Sequence, residues 1–247
     1  MEMEANKVVL ITGAGKGIGR EFTLSLARIG YSIVCCSRTK YDLDSFSDEI
    51  DSFGGTATFI QADVRDLNLL MEVKDQVRAQ FRKVDVLIVN AGIDLENSTV
   101  EDSDANKWRD VIEVNLIGSY NTVKAFLPLM KQNNGSQIIL IGSGLGHRGL
   151  PKKSAYSISK AGQWMLVRVL AEELIEYGIL VNEIVPGPVR TSIDREIQKE
   201  RMSVSSVFTT EWNKETRDVV PILEFLLSQG KNGPTGQSFS LARRDLG

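Results

Sequence analysis

Short apolar runs alternate with longer amphipathic stretches along this chain, and the alternation predicts its elements in order. Residues 7–12 are apolar and rich in β-branched side chains, the pattern of a buried strand. A glycine-rich turn at 13–19 leads into a helix. Phe22, Leu24, Leu26, Ala27 and Ile29 carry its apolar content, and Gly30 is its stop. The pattern then repeats: strand 32–37, helix 42–53 ended by Gly54 and Gly55, strand 56–61, helix 67–81, strand 84–89. A long helical stretch follows at 105–131, with Pro128 marking a late kink or interruption. Strand 137–141, helix 154–177 and strand 179–185 come next, and helix 214–228 and strand 237–241 close the chain. The strands show no polar alternation, so both faces of their sheet are covered. Strands alternating with helices predict an α/β fold with a parallel, doubly wound sheet. Helix 154–177 is apolar enough to predict a second buried face, packed against a partner subunit. The polar, weakly periodic stretch at about 191–212 predicts a cap. No linker divides the 247 residues, so residues 1–247 read as one domain.

Composition narrows the function. Hydrophobic residues make up 42% and the formal net charge is -3, which gives no electrostatic footprint for nucleic acid or an anionic membrane. No apolar run reaches membrane-spanning length, and residues 1–7 lack the basic and apolar regions of a signal peptide. The expected setting is cytoplasmic. Cys35 and Cys36 are adjacent in an apolar run and read as packing residues in a reducing compartment. A single histidine, His147, argues against a His-rich metal site, and no metal is expected.

Candidate chemistry gathers where strands end. Gly13, Gly15, Gly17 and Gly19, with Lys16 and Ile18 among them, lie between the first strand and the first helix. Backbone can approach a diphosphate there, and the helix N-terminus points at it. The second strand ends in Ser37 and Arg38, where an NAD-preferring site usually places a carboxylate. A guanidinium suits a 2′-phosphate instead, and Lys16 adds charge, so NADP(H) is favoured over NAD(H). Asp63, followed by Val64, either meets the adenine amino group or caps the next helix. Asn90, Ala91 and Gly92 follow the fourth strand. Asn115 sits mid-helix among apolar residues and needs a backbone partner, a water or a kink to account for it. Ser143 follows the fifth strand, thirteen residues before Tyr156. Tyr156 and Lys160 are four residues apart, on one face of a helix, where an ammonium lowers the pKa of a phenol. Such a pair is a tuned proton donor and acceptor for a carbonyl or alcohol. Pro186, Gly187, Pro188, Val189, Arg190 and Thr191 form a rigid turn whose backbone suits a flat ring. His147 either touches substrate or lies solvated in its loop, and Arg148, Lys152, Lys153 and Arg195 either meet an acidic or carrier-bound substrate or, as is usual for loop cations, are simply solvated.

Taken in order, these residues resemble the short-chain dehydrogenase/reductase family, and the resemblance covers nearly the whole chain. It implies a Rossmann-type sheet of seven strands and a catalytic tetrad of Asn115, Ser143, Tyr156 and Lys160. In the family, the tyrosine passes a proton to the substrate oxygen as hydride arrives, the serine holds that oxygen, and the lysine binds the nicotinamide ribose. The asparagine supports a water linked to the lysine. The 3-oxoacyl-carrier-protein reductases and small-ketone reductases are the most similar members. The expected activity is therefore NADPH-dependent reduction of a ketone or aldehyde by a homodimer or homotetramer. An NADP-linked alcohol dehydrogenase running in the oxidative direction and a non-catalytic nucleotide-binding regulator are the alternatives. Val89, in place of an asparagine before Asn90, and a terminus without Asp-Gly-Gly depart from the pattern.

Overall fold

A computed structural model of the protein describes residues 7–191 and 212–242. Seven strands form one parallel sheet in the order β3-β2-β1-β4-β5-β6-β7. They are β1 (Val8–Thr12), β2 (Ser32–Ser37), β3 (Thr56–Gln61), β4 (Val86–Val89), β5 (Gln137–Ile141), β6 (Leu180–Val185) and β7 (Ser238–Ser240). The order reverses between β1 and β4. Beyond the carboxyl ends of strands at such a switch point lies the usual ligand crevice of an open α/β sheet. β1, β4, β5 and β6 are buried at every position, as runs without polar alternation require.

Helices cover both faces. α4 (Leu67–Phe81), α6 (Gly118–Met130) and α8 (Ser154–Leu174) shield one core, which holds Leu70, Phe126, Leu140 and Val167. α1 (Gly17–Arg28), α2 (Lys40–Asp44), α3 (Ser47–Ser52) and α9 (Val220–Ser228) shield the other, built on Ile11, Phe22, Ile33 and Leu223. The expected topology holds; most ends shift by a residue or two, but the helix expected from 214 begins at Val220, after a 3-10 turn at Thr216–Val219, and the one expected to 177 ends at Leu174, followed by a 3-10 turn.

Three local expectations change. The helix expected at 42–53 is two short ones, α2 and α3, because Phe46 leaves helical geometry at φ -137°. Its ring is buried and meets Phe59 edge-on at 5.5 Å, so packing onto β3 outweighs helix continuity. The helix at 105–131 is not interrupted at Pro128, which lies inside α6. The irregularity falls earlier, where a π-helical turn, Glu113–Ile117, separates α5 (Ala105–Ile112) from α6. A short helix, α7 (Gly144–His147), stands where only a loop was expected. The cap expected at about 191–212 lies almost wholly outside the described residues.

Candidate active site

The candidate residues come together at the carboxyl edge of the sheet because each follows a strand there or lies on a helix leaning over it. The glycine-rich turn comes first. Gly13 has φ +66°, a left-handed conformation that L side chains rarely adopt. A methyl group on it would stand 2.9 Å from both Ala91 Cα and Asn90 Nδ2, and one on Gly19 would overlap the Gly13 carbonyl. Asn90 straps this turn down. Its Nδ2 donates to the carbonyls of Thr12 and Gly13, each at 3.0 Å. The Thr12 hydroxyl accepts from the Asn90 and Ala91 backbone N–H groups at 3.2 and 3.3 Å. The Asn90 side chain is thus committed to the end of β1 and the turn after it. No side chain caps the N-terminus of α1. A bare turn with no room for Cβ atoms, at an uncapped helix start, fits a diphosphate.

The adenosine side carries more charge than the expected pair. Arg38 is exposed just past β2. Lys16 Nζ lies 3.1 Å from Asp42 on α2, and Asp42 Cβ sits where a Cβ on Gly15 would be, with Ser37 Oγ beside it. Asp63 does not cap α4; Asp66 does, accepting from Leu69 N at 3.0 Å. The Asp63 carboxylate instead holds the Arg65 side chain at 2.7 Å, and that bond keeps it below the usual carboxylate range, Arg38 adding to the effect. Val64 is buried against Gly118.

Asn115 lies in the π-helical turn, and its side chain explains why it is there. Oδ1 accepts from Ile93 N at 2.8 Å; Nδ2 donates to Ile93 O at 2.9 Å and to Ser159 Oγ at 3.0 Å. Ser159 in turn donates to the Tyr156 carbonyl at 2.8 Å. Asn115 therefore ties the loop segment following β4 to the helix that carries Tyr156. Single-turn π insertions are concentrated at functional sites. An apolar replacement would leave the part-buried Ile93 N–H and carbonyl without this partner and would cost stability.

Tyr156 is half-buried on α8, and Lys160 lies one turn on with its Nζ 5.8 Å from the Tyr156 ring centre. Lys160 is buried, and its Nζ donates to the Ile141 carbonyl at the end of β5 at 2.8 Å. Burial lowers the ammonium from 10.5 to about 8, opposed by the charge of Glu183. Ser143 begins α7 and accepts from Leu145 N at 3.2 Å. α7 packs so closely on α8 that a Cβ on Gly146 would stand 2.7 Å from the Lys160 carbonyl carbon. The short helix that Ser143 caps thus packs against the turn of α8 that carries Lys160.

The remaining turn borders the glycine-rich turn and the chain's last described segment. Gly187 has φ +71° and faces Lys214 Nζ and Ala242; Val189 is buried and bridges to Lys214; the Thr191 side chain lies over Gly17.

Two loop expectations are corrected. His147 neither lies in solvent nor points to a substrate position: its Nε2 is 3.0 Å from Glu183 Oε2 on β6. Lys153 is committed to Asp94 at 2.7 Å and to the Glu96 carbonyl at 2.8 Å, so it does not greet a substrate; Arg195 lies outside the described residues. Sequence reasoning passed over Ser159, Thr12, Asp42, Arg65 and Glu183. Ser159, which itself faces Asn115, was legible only by its place inside the Tyr156 to Lys160 segment. Glu183 was legible as the lone charge in a buried strand.

An open parallel sheet with a phosphate-type turn at its switch point and a tyrosine–lysine pair opposite defines an α/β oxidoreductase of the dinucleotide-crevice class. The short chain dehydrogenase family profile matches residues 7–202, and the chain belongs to that family. It is 32% identical over 240 residues to the 3-oxoacyl-[acyl-carrier-protein] reductase of Staphylococcus aureus, covering 96% of each chain. The crystal structure of a 3-ketoacyl-ACP reductase from Sinorhizobium meliloti is 31% identical, with a TM-score of 0.84 over 95% of this chain and 96% of that one. Carveol dehydrogenase from Mycobacterium avium in complex with NAD is 26% identical, with a TM-score of 0.89 over 98% of each chain.

Proposed function

We propose that this protein is an NADPH-dependent reductase of a ketone or aldehyde, with 3-oxoacyl thioesters as the favoured substrate class. The observation that carries the reading is the buried Lys160 ammonium one helical turn from Tyr156, beside the α7 start that presents Ser143. The similarity to two 3-oxoacyl reductases supports the substrate class. Arg38 and Lys16, at the end of β2 and in the glycine-rich turn, support the 2′-phosphate; Asp42 offsets part of that charge. NADPH supplies, when bound, the hydride for the carbonyl carbon.

The chain's own work is with the oxygen and its proton. Charge grows on the carbonyl oxygen as the carbon is reduced. Tyr156 Oη gives it a proton and Ser143 Oγ donates a second hydrogen bond, so both groups act more strongly on the transition state than on the ground state. Lys160 favours the phenolate that Tyr156 becomes. Asn115 sets the wall opposite: Gly92 lies between its Oδ1 and Lys160 Nζ, with room for no more than a methyl group. The main-chain carbonyl of Asn115 already accepts from Ser119 Oγ at 2.6 Å, and its second lone pair is the acceptor for a relay water. The test is loss of NADPH absorbance with acetoacetyl-coenzyme A, a small ketone and an aldehyde as probes. Turnover of the thioester above the others is the expected result. Absence of turnover with all three would overturn the reading.

The assembly in this reading is a homodimer through α6 and α8. Ile158, Met165 and Val169 are 51%, 48% and 46% exposed on α8, and Ile117 and Tyr120 are exposed next to them. Such a contiguous apolar face on a soluble domain marks an interaction site. Met165→Glu with Val169→Glu is expected to give a monomer by light scattering; an unchanged mass would remove this face from the interface. Among the described residues no helix is long and apolar enough to cross a membrane. The Cys35 thiol, pushed up to about 12 by burial, and Cys36, raised further, support packing rather than redox roles and fit a cytoplasmic setting.

A further inference from the structure

Glu183 is a buried carboxylate in the middle of a core-facing strand, 1% exposed. Its two oxygens have different surroundings. Oε2 takes His147 Nε2 from α7 and the Ser238 hydroxyl from β7. Oε1 has no hydrogen-bond partner among the described residues. That oxygen presses on the end of β5, where a Cβ built on Gly142 would overlap it. Gly142 lies between Ile141, whose carbonyl holds Lys160 Nζ, and Ser143. A buried anionic oxygen without a donor is expensive unless a positive charge compensates it. The cations that feel this one are Lys160 and Arg168, both on α8. Arg168 stacks on Trp164, 4.1 Å from the ring centre, bonds to the Trp164 carbonyl at 3.0 Å and reaches Ser238 Oγ at 3.5 Å, so it meets the Oε2 side of the carboxylate through that hydroxyl. Lys160 bonds to Ile141, the residue just before the Gly142 that Oε1 presses on.

We propose that Glu183 is a positioning residue of the Tyr156–Lys160 site: its carboxylate is the buried counter-charge of the Lys160 ammonium, and through His147 it anchors the short helix that presents Ser143. The inference rests on the proposed role of that pair and adds a group from a strand on its far side. The mechanical half follows from connectivity. His147 ends α7 and Ser143 begins it, so a bond from His147 to β6 fixes the helix at the end away from the serine. The His147 ring also meets Trp164 edge-on at 5.3 Å, and Gly146 rests on the Lys160 backbone. The electrical half follows from burial. Lys160 is faced by Tyr156 on its own helix, by the Ile141 carbonyl from β5, by Gly92 after β4 and by Glu183 from β6. Glu183 is the only anion in that set. Glu183 itself is faced by His147 from α7, Lys160 and Arg168 from α8, and Ser238 from β7.

The test reads Lys160 directly. In protein labelled with ¹³C at lysine Cε, the Lys160 signal is assigned by its loss in Lys160→Met and followed through a pH titration in wild type and Glu183→Gln. Glutamine keeps the volume and the hydrogen bonds but not the charge. The Lys160 midpoint is expected to fall by about one unit, the scale of a nearby opposite charge. The alkaline limb of acetoacetyl-coenzyme A reduction should fall with it, because reduction uses the ammonium form and that form is then lost at lower pH. An unmoved Lys160 midpoint would overturn the counter-charge. A moved midpoint in a protein that turns over no carbonyl would leave the counter-charge standing and sink the proposed reaction instead. For the anchoring half, His147→Ala is expected to lower kcat more than tenfold with cofactor affinity unchanged, and His147→Gln, which can still donate to Glu183, to recover most of it. Equal kcat in both variants would overturn the anchor. Should Glu183→Gln fail to fold, Gly142→Ala with Glu183→Ala fills the vacated space, and the same titration is read on it.

Discussion

Replacing Tyr156 with phenylalanine is expected to lower the rate of carbonyl reduction about 10³-fold, within the range for removing one general acid, while NADPH binds within about twofold of wild type by the same argument that only the transition state loses a contact. The substitution removes one oxygen and leaves the ring. α8 keeps its packing, because the tyrosine is held through its backbone: the Tyr156 carbonyl accepts from Ser159 Oγ, which joins Asn115. The lost group is the proton donor at the oxygen where negative charge appears. Ser143 remains and donates one hydrogen bond, and a residual rate above background is therefore expected. The measurement is single-turnover reduction of acetoacetyl-coenzyme A beside fluorescence titration of NADPH. A rate within tenfold of wild type would remove Tyr156 from the chemistry. A parallel loss of NADPH affinity would place it in cofactor binding instead.

The sheet was legible because a parallel strand covered on both faces is a continuous apolar run, as β1, β2, β4, β5 and β6 are; the edge strands β3 and β7 are only partly buried. Much of the candidate site was legible for a related reason: in this topology the residues after each strand gather at one edge of the sheet, so reading the residue after each apolar run samples that edge, while Asn115, Tyr156 and Lys160 lie on helical elements. The least legible features are side chains that bond sideways, across elements distant in sequence. His147 and Glu183 are thirty-six positions apart and meet only because α7 folds back over β6. Lys153 looks like a loop cation until Asp94, far earlier in the chain, takes it up. Asn115 is the instructive intermediate. Its awkwardness inside a helix was visible, but the π turn that relieves it depends on Ile93, which no local pattern connects to it. The divided helix at α2 and α3 is similar: the 3.6-residue rhythm continued, while the buried Phe46 ring decided the break.

Arg38→Asp is expected to weaken NADPH binding about 100-fold, near 3 kcal/mol, and to leave NADH unchanged or slightly improved. The two cofactors differ only in the 2′-phosphate, so the difference between the two effects isolates what Arg38 does. Arg38 stands exposed just past β2, with its carbonyl held by Gln61 Nε2 at 3.0 Å, so its backbone is fixed while its side chain is exposed. Losing a charge-assisted bidentate contact costs more than losing a neutral one. The new carboxylate adds repulsion toward the phosphate, and for NADH it becomes an acceptor for the ribose hydroxyl, the arrangement usual in NAD sites. Lys16 remains, yet Asp42 lies 3.1 Å from its ammonium and already neutralises part of it, so Lys16 does not make up the loss. Raising the salt concentration should shrink the NADPH penalty, because both groups are exposed and an interaction between exposed charges is screened. The measurement is a pair of titrations, NADPH and NADH, on wild type and variant at low and high salt. Equal losses for the two cofactors would show that Arg38 does not read the phosphate. Discrimination would then have to come from Lys16, and Asp42→Asn, which frees that ammonium, should strengthen NADPH binding alone.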